Sequence, residues 1–348
     1  MRLEPIAAPG PMRRIGLPAL ALAATVVVAC ALSALAGANP ARTLGLMITG
    51  AFGSKFALLE TLNRATPLIF TGLAIAVAFK AKLWNIGAEA QLYAGALLTV
   101  LIGTQLGLPG PLAIPLMALG AIAAGALVLL GPALLKTRLG VDEVVTTLLL
   151  NFVMALFISY LLEGPLKDPM GMGWPKSPSI PRDARLPRIV DGLRLHWGFA
   201  LALLCAAGVW VIQTRTTLGY EIRATGQNPE AARFAGIPVT RVIVKTALLS
   251  GGLAALAGFS EVAGLEGNLT TDLSASFGYT GIVVAMLALL HPLGVVVSAL
   301  FVAGIFVGAD SMSRAAEVPT YIADILLATA LLFMVLAILL TKFRVVRG

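Results

Sequence analysis

The stretch Gly219-Tyr-Glu-Ile-Arg-Ala-Thr-Gly-Gln-Asn-Pro-Glu-Ala-Ala-Arg-Phe-Ala-Gly-Ile-Pro238 is a polar island between two long apolar runs, 197–213 and 242–263. Its residues read as one short helix with both ends marked. Asn228 is suited to accept a backbone N–H as N-cap, Pro229 fits the first helical position, where no amide hydrogen is needed, and Glu230 favours the positive end of the helix. Gly236 and then Pro238 stop it. Such a helix runs for about two turns. On a water-exposed loop, with Ala231, Ala232 and Phe234 available for contact and Arg223 and Arg233 nearby, it suits docking into a groove of another protein. The competing reading is an ordinary capped surface helix with no partner.

The chain around this island is a lipid-soluble one. Of its 348 residues 58% are hydrophobic and only 12% charged, and the mean hydropathy is +0.93; a soluble domain carries about 25% charged residues. The apolar runs are long, continuous and rich in Leu and Ala, which indicates an all-α polytopic membrane protein and not an outer-membrane barrel. Spans are expected at 15–37, 67–83, 88–103, 113–135, 142–162, 197–213, 242–263, 278–290, 293–309 and 320–341, about ten transmembrane helices, several of them short. Thr43 to Arg64, interrupted by Gly45, Gly50, Gly53 and Lys55, reads as an interfacial or re-entrant segment.

Placing the 214–241 loop in the cytoplasm puts 1–14 and 342–348 inside as well, and 163–196 outside, flanking a permeating domain over 15–341. Lys80, Lys82, Lys136, Arg138, Arg215, Arg223 and Arg233 then lie on the inner side, as the positive-inside tendency asks. Lys167, Lys176, Arg182, Arg185, Arg188 and Arg194 oppose it. The net charge of +8 is therefore read as membrane orientation, and nucleic acid is not expected as a partner. With Pro165, Pro169, Pro175, Pro178, Pro181 and Pro187, the 163–196 loop cannot span. It either meets a partner that delivers substrate or is a passive connector.

Leu83-Trp-Asn-Ile-Gly-Ala-Glu-Ala-Gln91 sets Asn85, Glu89 and Gln91 between apolar spans. A charge at the bilayer centre costs about 2.5–3.5 kcal/mol, so these groups need water or partners. They are either a polar element of a translocation path or caps at the inner interface with Lys80 and Lys82 as counter-charge, the second being favoured. Thr71-Gly-Leu-Ala-Ile-Ala-Val77 and Thr280-Gly-Ile-Val-Val-Ala-Met286 read as copies of one another. An internal repeat would put Thr71 and Thr280 on the path, unless the likeness is chance in so apolar a chain. Among the acids near the membrane, Glu261 and Asp310 are expected to reach the interface, and Asp324 lies about one turn inside the last span. Cys30 and Cys205 sit in apolar runs as packed thiols. Neither a zinc set nor a Gly-x-x-x-x-Gly-Lys-[Ser/Thr] loop occurs, so no cofactor, ATP binding or enzymatic activity is expected.

Gly219, Arg223, Ala224, Gly226, Asn228, Pro229, Ala231, Ala232, Gly236 and Ile237 fall on a Gly-x-x-x-Arg-Ala-x-Gly-x-Asn-Pro-x-Ala-Ala-x-x-x-Gly-Ile pattern. Through it the chain resembles the permeases of bacterial ABC importers in the simple-sugar and nucleoside branch, where the pattern marks the cytoplasmic coupling loop. Thr61 to Gly72, the Asn85 to Gln91 block (with Ala90 where Gly is usual) and His291-Pro-Leu-Gly294 (with His where Asn is usual) extend the likeness. It implies a non-catalytic, multi-pass permease of the bacterial inner membrane that imports nucleosides, with ribose-like sugars as the alternative. It also implies a separate cytoplasmic ATPase that moves the 228–236 helix, a second permease subunit, identical or homologous, and an extracytoplasmic binding protein. The coupling set is then Gly219, Arg223, Gly226, Asn228, Pro229, Glu230, Ala231, Ala232, Arg233 and Gly236. An ion-coupled secondary transporter is the competitor, but it would need acids or His as a relay inside the spans, which are nearly free of them.

Overall fold

The structure, a computed structural model, describes residues 2–5, 11–35, 37–190, 192–316, 321, 325, 328–330, 332–333, 336–337, 340–341 and 343–346. Regular structure among them is helical apart from one antiparallel ribbon, in which β1 (Arg2–Pro5) pairs with β2 (Phe343–Val346). The chain forms two compact units, Met1–Thr61 with Phe301–Gly348, and Leu62–Leu300. The helices are α1 (Pro11–Leu35), α2 (Pro40–Phe52), α3 (Lys55–Lys80), α4 (Ala88–Gln105), α5 (Gly110–Leu134), α6 (Glu143–Glu163), α7 (Gly198–Arg215), α8 (Thr217–Gln227), α9 (Pro229–Phe234), α10 (Val239–Ser260), α11 (Phe277–Leu287) and α12 (Pro292–Ala316). Turns of π-helix prolong α5 to Leu139 and α10 to Glu266.

Among the described residues six helices are long and apolar enough to cross a membrane: α3, extended α5, α6, α7, extended α10 and α12. The expected ten are not reached, for four reasons. Within the expected span 15–37 only Ala23–Leu32 counts as a described apolar helix, too short to cross. At 11 residues, α11 rises only about 16 Å, half a hydrocarbon core. Ala88–Gln105 begins with Glu89 and Gln91 and is too polar to count by composition. Half of the expected span 320–341, Asp324 included, lies outside the described residues.

Thr43 to Arg64, read as an interfacial or re-entrant segment, is helical on both sides of a break at Gly53-Ser54. Asn39 caps α2, accepting from Ala41 N at 3.0 Å and Arg42 N at 3.3 Å, and α2 stops at Gly53, where a Cβ would stand 2.5 Å from the Thr49 carbonyl. Ser54 then caps α3 through Ala57 N (3.1 Å). The polar residues Lys55, Glu60 and Arg64 and the interior Pro67 disguise the first turns of this helix. Pro67 is tolerated with its carbonyl accepting from Thr71 Oγ1 at 3.0 Å.

In the Leu62–Leu300 unit α4, α5 and α10 each pack against the other two. The crossings are backbone to backbone: a Cβ on either Gly125 or Gly251 would overlap the carbonyl oxygen of the other, and one on Gly258 would overlap that of Leu92. Between helices in lipid, close approach of this kind supplies the packing that hydrophobic exclusion cannot. Extended α10 has 78% of its apolar window buried, whereas α5, α6 and α7 bury 28%, 17% and 28% of theirs. On α6 the outward Leu148, Leu149, Phe152, Val153 and Leu156 are exposed, as lipid contact or a subunit interface requires.

Candidate functional site

The polar island folds as two helices, not one. Thr216 caps α8 by accepting from Gly219 N (3.3 Å). Along α8, Ile222 packs on Ala81 and Val242, so its apolar face is held against the end of α3 and the start of α10. Gly219 lies against the Ile212 carbonyl and Gly226 against that of Lys80, each so closely that a Cβ would overlap the oxygen. The Arg223 guanidinium donates to the Gln213 carbonyl at the C-terminal end of α7, where a cation is favoured by the helix dipole. Lys80 Nζ donates to the Gln213 side chain at 2.5 Å. Gly219 and Gly226 are buried and thus anchor α8 on α7 and α3, while Arg223, itself exposed, reaches back to the end of α7.

The outward part is α9. Asn228 Oδ1 accepts from Glu230 N (3.0 Å) and Ala231 N (3.1 Å), Pro229 is the first helical residue, and Glu230 lies in the first turn. Gly236 ends the turn at φ +83°. Ala232 is buried, while Glu230, Ala231 and Arg233 are exposed and Phe234 is 96% exposed. An apolar ring so exposed at the tip of a capped turn is a candidate contact group.

The candidate path residues are interior. Asn85 and Gln91 exchange amide hydrogen bonds, Asn85 Nδ2 to Gln91 Oε1 at 2.9 Å and Gln91 Nε2 to Asn85 Oδ1 at 2.8 Å. Asn85 Nδ2 also donates to Ser250 Oγ (3.0 Å), which donates to the Ala74 carbonyl (2.7 Å). All three side chains are fully buried, so they tie α3, α4 and α10 together. Glu89 accepts from Gly278 N at 2.7 Å; Ser276, at φ +60°, makes no cap bond to α11, so the first amide, Phe277 N, is met by Ser274 Oγ at 3.0 Å and the second by Glu89 from α4. Thr71 and Thr280 are buried, and the two copied segments meet: a Cβ on Gly281 would stand 2.6 Å from Thr71 Oγ1.

Sequence reasoning missed the partners of the 84–90 turn. Glu143, Thr147 and Asn151 recur every four residues along α6, one face of an otherwise apolar helix. Glu143 Oε1 accepts from Trp84 N (3.2 Å) and pairs with Lys136, Thr147 Oγ1 accepts from Ile86 N (3.2 Å), and Asn151 Oδ1 accepts from Ala90 N (3.0 Å). That spacing was the available signal. Glu261, expected at an interface, is buried instead.

At the far end of α7 the 164–197 segment is laid along the end of extended α10 by Ser177 N to Leu269 O (2.9 Å), Ile180 N to Gly267 O (2.8 Å) and Leu186 N to Ala263 O (2.7 Å). His196, fully buried, accepts from Gly198 N at 3.1 Å through Nδ1. Burial pushes its pKa down to about 4.

Residues 57–337 match the family described as branched-chain amino acid transport system / permease component. Three curated relatives align over nearly the whole chain. The glucose ABC transporter permease protein TsgB13 of Haloferax volcanii is 37% identical over 95% of this chain and 89% of its own length. The guanosine ABC transporter permease protein NupP of Bacillus subtilis is 34% identical over 91% of each chain. The nucleoside ABC transporter permease protein NupB of Lactococcus lactis subsp. cremoris is 28% identical over 97% of this chain and 96% of its own.

Proposed function

The chain belongs to the branched-chain amino acid transport system / permease component family, and on that premise we propose that it is the membrane-spanning subunit of an ATP-driven importer of nucleosides. It carries no catalytic centre of its own in this reading. A cytoplasmic ATPase subunit grips α9 around Phe234, and its closing and opening is passed through α8 to α3 and α7. The observation that carries the reading is the split of the island into an outward knob and an inward anchor: Phe234 at 96% exposure and, within the same short segment, Gly226 and Arg223 seated on helices α3 and α7.

The coupling loop is then cytoplasmic, 164–197 is extracytoplasmic, and the membrane is the bacterial inner membrane. A second permease subunit, identical or homologous, covers part of the exposed α5, α6 and α7 surface, and an extracytoplasmic binding protein delivers the substrate. Nucleosides are favoured by the names of two relatives aligned over more than nine tenths of the chain. A sugar is the second reading, favoured by the glucose permease relative. Uptake of labelled guanosine into proteoliposomes holding the complete complex, competed with adenosine, ribose or glucose, separates the two. Competition by adenosine alone supports the nucleoside, and competition by a sugar alone overturns it.

A further inference from the structure

A cavity of about 610 Å³ lies between the 182–188 stretch and Gly264–Leu265, lined by Arg182, Arg185 and Arg188 with Asp183 as its one acid. Neither of the two ion pairs among the described residues involves any of these arginines. Arg185 Nε is buried with no hydrogen-bond partner, and its guanidinium lies over Gly267, at φ +76°, so closely that a Cβ there would overlap it. Arg182 and Arg188 are exposed at the rim. The lining therefore offers planar cationic forks in excess of any carboxylate, the donor set that fits phosphate oxygens.

The depth of the cavity selects the kind of phosphate. Extended α10 runs 28 residues from Val239 to Glu266, a rise of about 42 Å, longer than a hydrocarbon core of about 30 Å and equal to the bilayer with its headgroup layers. Gly264 and Leu265, in its last turn, stand at headgroup level. The segment that closes the cavity also carries Trp174 and Trp197, 74% and 56% exposed, and exposed indole rings are the groups that form interfacial belts. We infer that Arg182, Arg185 and Arg188 form a binding site for the headgroup phosphate of an anionic phospholipid. The inference needs only that the chain crosses a membrane, so it stands or falls apart from the substrate reading.

The test uses the purified full-length chain, stripped of lipid in detergent, with native mass spectrometry after addition of phosphatidylglycerol, phosphatidylcholine or inorganic phosphate. Phosphatidylglycerol is expected to be retained over phosphatidylcholine. Arg182→Gln and Arg188→Gln, both at exposed positions that leave the fold intact, are each expected to weaken that retention about fivefold. Millimolar inorganic phosphate is expected not to displace the lipid. Equal retention of both lipids, retention unchanged in the double variant, or displacement by inorganic phosphate would overturn the site. So would a double variant that keeps phosphatidylglycerol but no longer binds the purified extracytoplasmic binding protein, since the arginines would then form a protein-docking surface.

Discussion

Gly226 lies against the main chain of Lys80 so closely that a single added carbon would overlap the Lys80 carbonyl oxygen. This contact ties α8 to the last turn of α3, and a Cβ forces them apart. Overpacking of this kind costs about 1–3 kcal/mol. Gly226→Ala is expected to lower the thermal midpoint and to abolish ATP-driven uptake. Gly131→Ala, where nothing lies within 4 Å of an added Cβ, is expected to change neither. Uptake and thermal unfolding of the two variants side by side check this.

Phe234 plays the opposite part, bearing on a partner and not on the fold. Burying a phenylalanine side chain is worth about 1.5–3 kcal/mol. Phe234→Ala is expected to weaken association with the ATPase subunit by about ten- to a hundredfold while the melting curve of the isolated permease is unchanged. Titration of the purified ATPase onto the variant in nanodiscs measures it; an unchanged affinity would remove Phe234 from the contact.

Asn85, Gln91 and Ser250 form a closed set, and removing one partner strands the others. Asn85→Leu is expected to cost about 1–3 kcal/mol for each buried polar group left unsatisfied. The loss should appear in thermal unfolding, with the substrate KM of surviving complexes unchanged. A raised KM at unchanged stability would restore these residues to the translocation path.

His196 links stability to pH. Its folded-state pKa, about 4, lies below the ordinary value of 6.5, so the unfolded chain takes up a proton first as pH falls. Stability is therefore unaffected above about pH 6.5 and is lost progressively toward about pH 4, by up to about 3 kcal/mol. His196→Asn, which keeps an acceptor for Gly198 N without a titrating ring, is expected to flatten this part of the profile in melting experiments from pH 7 to pH 4.

Much of this was legible in the residues because backbone chemistry is local. Asn228, Pro229 and Gly236 announce α9, and the long apolar runs announce α5, α6, α7 and α10 to within a few residues and the start of α12 to within one. What stayed hidden depends on partners distant in the chain. Gly226 reads only as a member of a motif until Lys80 is beside it, and Asn85 reads as a cap at the inner interface or a path residue until Gln91 and Ser250 are seen to satisfy it. Arg223 reads as a docking group until the end of α7 claims it. The start of α3 was masked because Lys55, Glu60 and Arg64 dilute its apolar pattern, although a helix carries such residues in its first turns without breaking.

The most direct test is the accessibility of α9. In a Cys30→Ser, Cys205→Ser background, a cysteine at position 234 is expected to react with a membrane-impermeant maleimide in inverted vesicles but not in intact cells. Co-assembly with the ATPase subunit is expected to protect it. Labelling from the outer face, or labelling from the inner face that the ATPase leaves unchanged, would contradict the coupling role on which the proposed function rests.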